Sequence, residues 1–216
     1  SGVCVARNIA VASSQGTYIY PLDPDDRIVS MCLEICINEF KNDPNLKIVC
    51  PQGRLFGSET GLWNLPEFDY KTMLKFNMIH NSSLFLRRDF ESVGGYRSNM
   101  VSGFEDWDFF IALLNGCENR QVVKIKEPLF NYRVNHSGRR LLNAASKQQE
   151  DMLDLLVYNN FAIYKKYFPN IFSRVLEYDF DKVILSKGIV KFVTNALIKI
   201  SELKRKFLKN GNTLEV

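Results

Sequence analysis

Strand and helix patterns alternate over residues 3–134, and this alternation restricts the possible folds more than any other feature of the sequence. Apolar and small residues predict a helix at 3–13, and a short helix is predicted at 70–76. Apolar residues at helical spacing predict helices at 28–40 and 105–116. Apolar, β-branched and aromatic runs predict strands at 17–22, 46–51, 82–88, 121–126 and 128–134. Residues 52–69 lack a clear period and are expected to form a long loop that can include a hairpin. The alternation predicts an α/β fold with a partly parallel, mixed sheet flanked by helices.

The pattern changes after about residue 138. Strand patterns stop there, and helical patterns continue towards the C-terminus with breaks at Pro169 and Gly188. We therefore predict an α/β domain over residues 1–138 and a helical C-terminal region over residues 139–216.

Composition excludes several classes of protein. The hydrophobic content of 46% and the charged content of 24% are those of an ordinary soluble domain. A net charge of +4 is too small to indicate nucleic acid, so no nucleic-acid partner is expected. Five cysteines form no CxxC pair, and His80 and His136 are the two histidines, which argues against a zinc cluster or a disulfide framework. These features favour a reducing, cytoplasmic location.

Three carboxylates, Asp23, Asp25 and Asp26, follow the predicted strand 17–22 directly. Ligands of α/β sheets bind beyond the carboxyl ends of strands, which is where this cluster is expected to lie. Two interpretations are open. Aspartates before a helix can cap its backbone N–H groups and face the positive end of its dipole. Alternatively, their oxygens can bind Mg²⁺ or Mn²⁺ whose coordination a substrate diphosphate completes.

A second group of acidic residues, Glu105, Asp106 and Asp108, opens the predicted helix at 105–116. Helix capping is again the simplest interpretation. A carboxylate close to a metal-bound diphosphate can instead act as a general base and take the proton of an attacking hydroxyl. The presence of two separate acidic groups in one chain favours this second interpretation.

Three motifs, in order, resemble family 2 glycosyltransferases of the GT-A fold. The first is "GVCVARNIAVASSQGTYIYPLDPDDRI", the second is "SSLFLRRDFESVGGYRSNMVSGFEDWDFFIAL" and the third is "PLFNYRVNHSG". Together they extend over about residues 2–138, and their order makes the resemblance more specific than any one of them would be.

The resemblance implies a metal-dependent, inverting transfer of a sugar from a nucleoside-diphosphate sugar, expected to be a UDP-sugar. The implied acceptor is a saccharide or a lipid-linked molecule in bacterial surface polysaccharide synthesis. Arg7, Asp23 and Asp26 are expected to contact the donor. Asp25 and His136 are expected to bind Mn²⁺ or Mg²⁺.

On the acceptor side, the resemblance implies that Asp106 is the general base and that Glu105 positions the acceptor. Trp107 is expected to pack in the protein interior. A hypothesis from a different class is also open: the chain could be a non-catalytic, glycosyltransferase-derived module for binding or assembly.

The resemblance does not include the N-terminal, nucleotide-binding portion of the family. We therefore expect the chain to be part of a longer protein. Without that portion, the strand at 17–22 should lie at a sheet edge flanked by Tyr18 and Leu22. Such an edge is usually covered, either by further chain or by a second copy in a homo-oligomer.

Residues 187–209 combine seven basic residues with one acidic residue, Glu202, and keep apolar residues at helical spacing. One interpretation is a helix that packs on the catalytic domain and exposes a basic face. The other is an interfacial helix attracted to anionic lipid, which would give peripheral contact with the inner face of the membrane.

Overall fold

The computed structural model describes residues 2–135 and 147–169. Its helices are α1 (Val3–Ser13), α2 (Cys32–Asn42), α3 (Tyr70–Met73), α4 (Arg87–Ser92), α5 (Glu105–Leu113), α6 (Lys147–Asn159) and α7 (Phe161–Tyr167). Its strands are β1 (Tyr18–Ile19), β2 (Arg27–Ile28), β3 (Ile48–Gly57), β4 (Gly61–Trp63), β5 (Leu84–Leu86) and β6 (Val122–Val134).

The strands form one mixed sheet in the order β1-β5-β3-β6-β2, with β4 paired to β3 as a hairpin. β3 and β6 run parallel, and the other pairs are antiparallel. The predicted α/β class with a partly parallel sheet is therefore confirmed. The predicted hairpin within 52–69 is also present, since Gly53 of β3 lies opposite Trp63 of β4.

The helix predicted to start at Ile28 begins at Cys32 instead. Arg27 and Ile28 form the short strand β2, in which they pair with Asn131 and Phe130 of β6. The apolar period that indicated a helix is local, whereas the pairing that overrides it involves residues about a hundred positions later.

The two late strands predicted at 121–126 and 128–134 form the single strand β6. Pro128, the first residue of the second predicted strand, has no N–H to donate to a neighbouring strand. The sheet accommodates it through register shifts between β3 and β6 at residues 51–53. A local irregularity of this kind lets a strand continue past a residue that cannot pair.

Two hydrophobic clusters lie on the two faces of the sheet, as the alternation along β5 shows. Phe85 belongs to the larger cluster with Phe109 and Tyr164, so α5 and α7 pack on one face. Leu84 belongs to the smaller cluster with Cys36, which places α2 on the other face. Helices α6 and α7 thus share the main core of the α/β part.

Strand β1 lies at one end of the strand order and pairs with β5. The edge position predicted for the strand at 17–22 is therefore confirmed among the described residues, although β1 itself is limited to Tyr18–Ile19.

Within residues 2–135 and 147–169, no helix combines the length and the apolar character that crossing a bilayer requires. The predicted domain boundary near 138, the metal ligand His136 and the basic segment 187–209 lie outside the described residues and stay predictions.

Candidate active site

Residues 23–26, which we call the acid turn, connect β1 to β2 through a tight turn. The backbone N–H of Asp26 donates to the carbonyl oxygen of Asp23 at 3.1 Å. Pro24 occupies the second position of this turn, where its fixed φ angle is favourable. The turn therefore gathers three carboxylates at the end of β1.

The acid turn is attached to the end of β6. Asp26 Oδ1 accepts the backbone N–H of Arg133 at 2.8 Å, and Arg133 Nε donates to the carbonyl oxygen of Asp25 at 3.0 Å. The Asp25 carboxylate is exposed, and Asn135 Nδ2 lies 3.5 Å from its Oδ2. Burial, reinforced by the charges of Asp25 and Asp23, raises the pKa of Asp26 to about 6, although the Arg133 N–H opposes the shift.

The helix-capping interpretation of Asp25 and Asp26 is wrong. The N-cap position of α2 is Met31, and no side chain caps this helix end. Strand β2 separates the acid turn from α2, so neither carboxylate reaches the orphan N–H groups of the helix. The close approach of three like charges consequently requires another explanation.

Arg7 of α1 joins the two acidic groups that the sequence keeps far apart. Its Nη2 donates to Asp23 Oδ1 at 2.9 Å, and its Nη1 donates to Glu105 Oε1 at 2.8 Å. The Arg7 and Glu105 side chains are each 13% exposed, and the guanidinium lies 5.4 Å from the centre of the Tyr96 ring. Arg7, predicted to contact the donor, is thus placed between two predicted site carboxylates.

The "GGY" turn is fixed to α1 by Asn8. Asn8 Nδ2 donates to the carbonyl oxygen of Tyr96 at 2.8 Å, and Asn8 Oδ1 accepts the Tyr96 N–H at 2.9 Å. Gly95 has φ +72°, and a Cβ there would lie 2.6 Å from Phe90 Cζ and 2.8 Å from Asn8 Oδ1. Only glycine fits, and the result is a Tyr96 ring held against Arg7.

Asp106, the predicted general base, lies in the first turn of α5. Its Oδ1 accepts the N–H of Trp107 at 2.7 Å, and its Oδ2 accepts from Asn77 Nδ2 at 3.2 Å. Burial, reinforced by the charge of Glu105, raises the pKa of Asp106 to about 6. A carboxylate with this pKa is ionised at neutral pH yet is a stronger base than an ordinary aspartate.

Two neighbours of Asp106 are structural. Trp107 is 7% exposed and donates its Nε1–H to the carbonyl oxygen of Met73 at 2.7 Å, so it packs in the interior as predicted. Asp108 is fully buried, and its Oδ1 accepts from Arg97 Nη1 and Asn160 Nδ2, both at 2.8 Å. Asp108 therefore connects α5 to the α6–α7 junction.

Three residues near the site were missed at the sequence level: Asn77, Trp63 and Tyr132. Asn77 bonds the predicted base, and no motif marks it. Burial and then the charges of the acid turn and Asp106 raise the pKa of Tyr132. Trp63 contacts Tyr132 with ring centres 4.8 Å apart. Tyr132 begins the "YRVNH" segment, a motif that could have identified it as a site residue.

A metal would have to rely on few protein ligands. In the described ranges 2–135 and 147–169, no group of three or more His, Cys, Asp or Glu residues is arranged to hold an ion. The exposed carboxylate of Asp25 suits an ion that takes most of its ligands from water and substrate phosphates, as Mg²⁺ does. These residues therefore fit a sparse site.

Comparison with known proteins relates the first part of the chain to one family. The model of "Glycosyl transferase family 2" matches residues 1–106, which include α1, the acid turn and Asp106. Residues 1–106 belong to this family. The resemblance inferred from the sequence motifs is thereby confirmed.

Curated relatives of this glycosyltransferase segment are polysaccharide synthases. The chain is 27% identical to the chondroitin synthase of Pasteurella multocida (strain Pm70) over 128 residues, which are 57% of this chain and 13% of that protein. It is 28% identical to the hyaluronan synthase of Pasteurella multocida over 128 residues, with the same shares. The chain thus spans less than a fifth of the length of these relatives.

Solved structures show the same fold at low sequence identity. TarS 1–349 of S. aureus in complex with UDP-GlcNAc gives a TM-score of 0.56 at 13% identity, covering 73% of this chain and 46% of that chain. The complex of TarS 1–349 with UDP gives a TM-score of 0.51 at 10% identity, covering 99% and 73%. These matches confirm the GT-A glycosyltransferase fold.

Proposed function

We propose that the chain provides the acid turn and the base-bearing helix of an inverting, metal-dependent glycosyltransferase. The proposed donor is a UDP-hexose or UDP-N-acetylhexosamine. The proposed acceptor is a saccharide or lipid-linked acceptor of surface polysaccharide synthesis. The family and its polysaccharide-synthase relatives support this class of reaction.

The observation that carries the proposal is the pair of ion pairs made by Arg7. One guanidinium bonds Asp23 of the acid turn and Glu105, the residue next to Asp106. A donor at the acid turn would therefore lie beside the carboxylate that activates the acceptor. If these carboxylates only capped helices, no ion pairs joining the acid turn to Glu105 would be required.

In the proposed reaction, Asp106 removes the proton from an acceptor hydroxyl. The hydroxyl oxygen forms a bond to the anomeric carbon of the donor while the bond from that carbon to the diphosphate oxygen breaks. UDP leaves with the electron pair, and attack from the opposite side inverts the configuration. Glu105, oriented by Arg7, is proposed to position the acceptor, and Asp23 to contact the ribose and sugar of the donor.

Asp25 is the proposed protein ligand for Mn²⁺ or Mg²⁺, and Asp26 supports the acid turn through the Arg133 N–H. When bound, the cation would neutralise charge on the departing diphosphate. His136 remains a proposed further ligand. We also propose a cytoplasmic site of action, which the five free cysteines support, and peripheral membrane contact through 187–209.

An activity assay of the complete gene product tests the proposal. UDP release would be measured from UDP-GlcNAc, UDP-GalNAc, UDP-glucose and UDP-glucuronate with Mn²⁺, with and without chondroitin and hyaluronan tetrasaccharides. We expect slow donor hydrolysis with at least one donor, abolished by EDTA and restored by Mn²⁺. Asp25→Asn should lose the Mn²⁺ dependence of UDP binding.

The matched control for charge is Asp151→Asn, which removes an exposed carboxylate of α6. It should behave as the unmodified protein. A chain that neither hydrolyses any of the four donors nor binds UDP with Mn²⁺ would instead be the non-catalytic binding or assembly module.

A further inference from the structure

Trp63 and Tyr132 form an aromatic pair on one face of the sheet, which we call the aromatic shelf. Their ring centres are 4.8 Å apart at an interplanar angle of 44°. Both side chains are only partly buried. Large aromatic rings left open beside a polar site are a recurrent feature of ligand pockets, where they supply contact area at low entropic cost.

Several contacts fix the orientation of the shelf. The carbonyl oxygen of Trp63 accepts from Gln52 Nε2 at 2.7 Å, and the Trp63 indole stacks on the buried His80 with centres 5.7 Å apart. Gly53 lies opposite Trp63, and a Cβ on it would approach Trp63 Cβ to 3.2 Å and Cε3 to 3.3 Å. The absence of a side chain at Gly53 therefore makes room for the indole.

The shelf lies on the side of the candidate general base. Asn77, which bonds Asp106, belongs to the same short segment as His80, on which Trp63 stacks. The charges of the acid turn and of Asp106 also contribute, after burial, to the raised pKa of Tyr132. A group resting on the shelf would thus lie on the side of the site from which Asn77 contacts the predicted base.

We propose that the aromatic shelf binds the apolar face of a pyranose ring of the acceptor saccharide and so presents its hydroxyl to Asp106. The proposal rests on the proposed function. A pyranose ring exposes C–H groups on its flat face, and these gain dispersion and burial energy against an indole and a phenol ring. The rim hydroxyls of the sugar stay available to the carboxylates around them.

The first test is fluorescence of the full chain titrated with chondroitin and hyaluronan tetrasaccharides. Trp107 is buried, so Trp63 is the tryptophan of this segment that a sugar can contact. We expect a saturable emission change with at least one tetrasaccharide, absent in Trp63→Phe and absent for sorbitol, which has no ring. If the protein hydrolyses a donor but neither tetrasaccharide changes the Trp63 emission up to the solubility limit, the shelf does not bind acceptor.

The second test separates acceptor from donor. Trp63→Leu should raise the acceptor KM about tenfold, the effect of losing a contact of ordinary strength, with donor KM changed less than about twofold. Gly53→Ala, which displaces the indole by a few tenths of an ångström, should raise acceptor KM by a smaller factor. Leu62→Ala, on the opposite face of β4 and 51% exposed, is the control and should leave both constants unchanged.

An unchanged acceptor KM in Trp63→Leu would overturn the proposal, and a raised donor KM alone would assign the shelf to the donor sugar. Failure of the proposed function looks different, because donor hydrolysis would then be absent from the unmodified chain. A melting curve of each variant identifies a loss caused by unfolding, and the fluorescence titration of the unmodified protein does not depend on any variant.

Discussion

Replacing Asp106 by asparagine should stabilise the protein at neutral pH and leave it little changed at acidic pH. The side chain is partly buried, and its carboxyl is the group whose ionised form the surroundings penalise. An amide keeps the shape of the side chain, and its oxygen can still accept the Trp107 N–H. The substitution therefore removes a charge with little change in packing.

The magnitude follows from the pKa values of the folded and unfolded chain. The pKa of Asp106 is about 6 in the folded protein against 3.8 for an ordinary aspartate. Because the folded state binds this proton more tightly, the free energy of unfolding falls as pH rises through this interval. The full difference is roughly 3 kcal/mol above pH 7, and about 2 kcal/mol of it develops between pH 4.5 and pH 7.5.

One loss opposes this gain. Asn77 Nδ2 donates to Asp106 Oδ2, and an asparagine can present a second donor at that position. Asn77 cannot turn its amide without losing the 3.3 Å bond from the Ile79 N–H to its Oδ1. We allow about 1 kcal/mol for this mismatch. The net stabilisation at pH 7.5 should then be about 2 kcal/mol.

Urea unfolding of the full chain and of Asp106→Asn at pH 4.5 and pH 7.5 measures the effect. The quantity of interest is the change with pH in the difference between the two proteins, because it cancels the titrating groups that do not interact with Asp106. Asp151→Asn corrects for the loss of one negative charge. A variant that is less stable by the same amount at both pH values would refute the reasoning, since the Asp106 carboxylate would then carry no ionisation penalty.

Three further results are expected. Asp106→Asn should lower kcat by about 10²-fold with donor KM little changed. In the unmodified enzyme, kcat/KM should fall tenfold per pH unit below about pH 6, where the base becomes protonated. If kcat/KM does not fall below pH 6, Asp106 is not the base. Asp26→Asn should reduce Mn²⁺-dependent UDP binding less than Asp25→Asn, because an amide oxygen still accepts the Arg133 N–H. Isothermal titration calorimetry measures the UDP affinity of both variants, and equal losses of affinity would contradict this prediction. Gly95→Ala should lower the melting temperature by an amount equivalent to about 2 kcal/mol or more, because the added Cβ would combine a positive φ with contacts of 2.6 and 2.8 Å. The control is Gly94→Ala, whose added Cβ meets no atom within 4 Å. Equal melting temperatures for the two variants would show that the contacts do not matter.

Local patterns predicted the fold class and helix α1 well. The first helix was expected at 3–13 and is Val3–Ser13, because the apolar and small residues that favour it act within a few positions of one another. The start of α2 and the continuity of β6 were wrong for a common reason. Arg27, Ile28 and Pro128 take their conformations from strands that are distant in sequence, and no local period reports such pairing.

The candidate site was predictable as a set of carboxylates but not as an arrangement. Motif spacing identified Asp23, Asp25 and Asp106, yet gave no partner for Arg7 and no role for Asn77. The resemblance selected Asp106 rather than Asp108 as the base, but no local pattern explains the choice, because the two residues are two positions apart on one helix. Helical geometry turns Asp106 towards Asn77 and Asp108 into the interior, where Arg97 and Asn160 bond it.

The charges around the site support a requirement for a cation. The acid turn contributes three carboxylates and α5 contributes Glu105 and Asp106, whereas Arg7 is shared between two of these five groups. Arg133 adds a second positive charge at the carbonyl oxygen of Asp25. With five negative and two positive charges, this cluster has a net charge of −3 when every carboxylate is ionised. A diphosphate brings more negative charge to the same place, and in a partly buried site that repulsion is poorly screened. A divalent ion at the exposed Asp25 would offset it directly, which supports our proposal that the acid turn is half of a metal–diphosphate site.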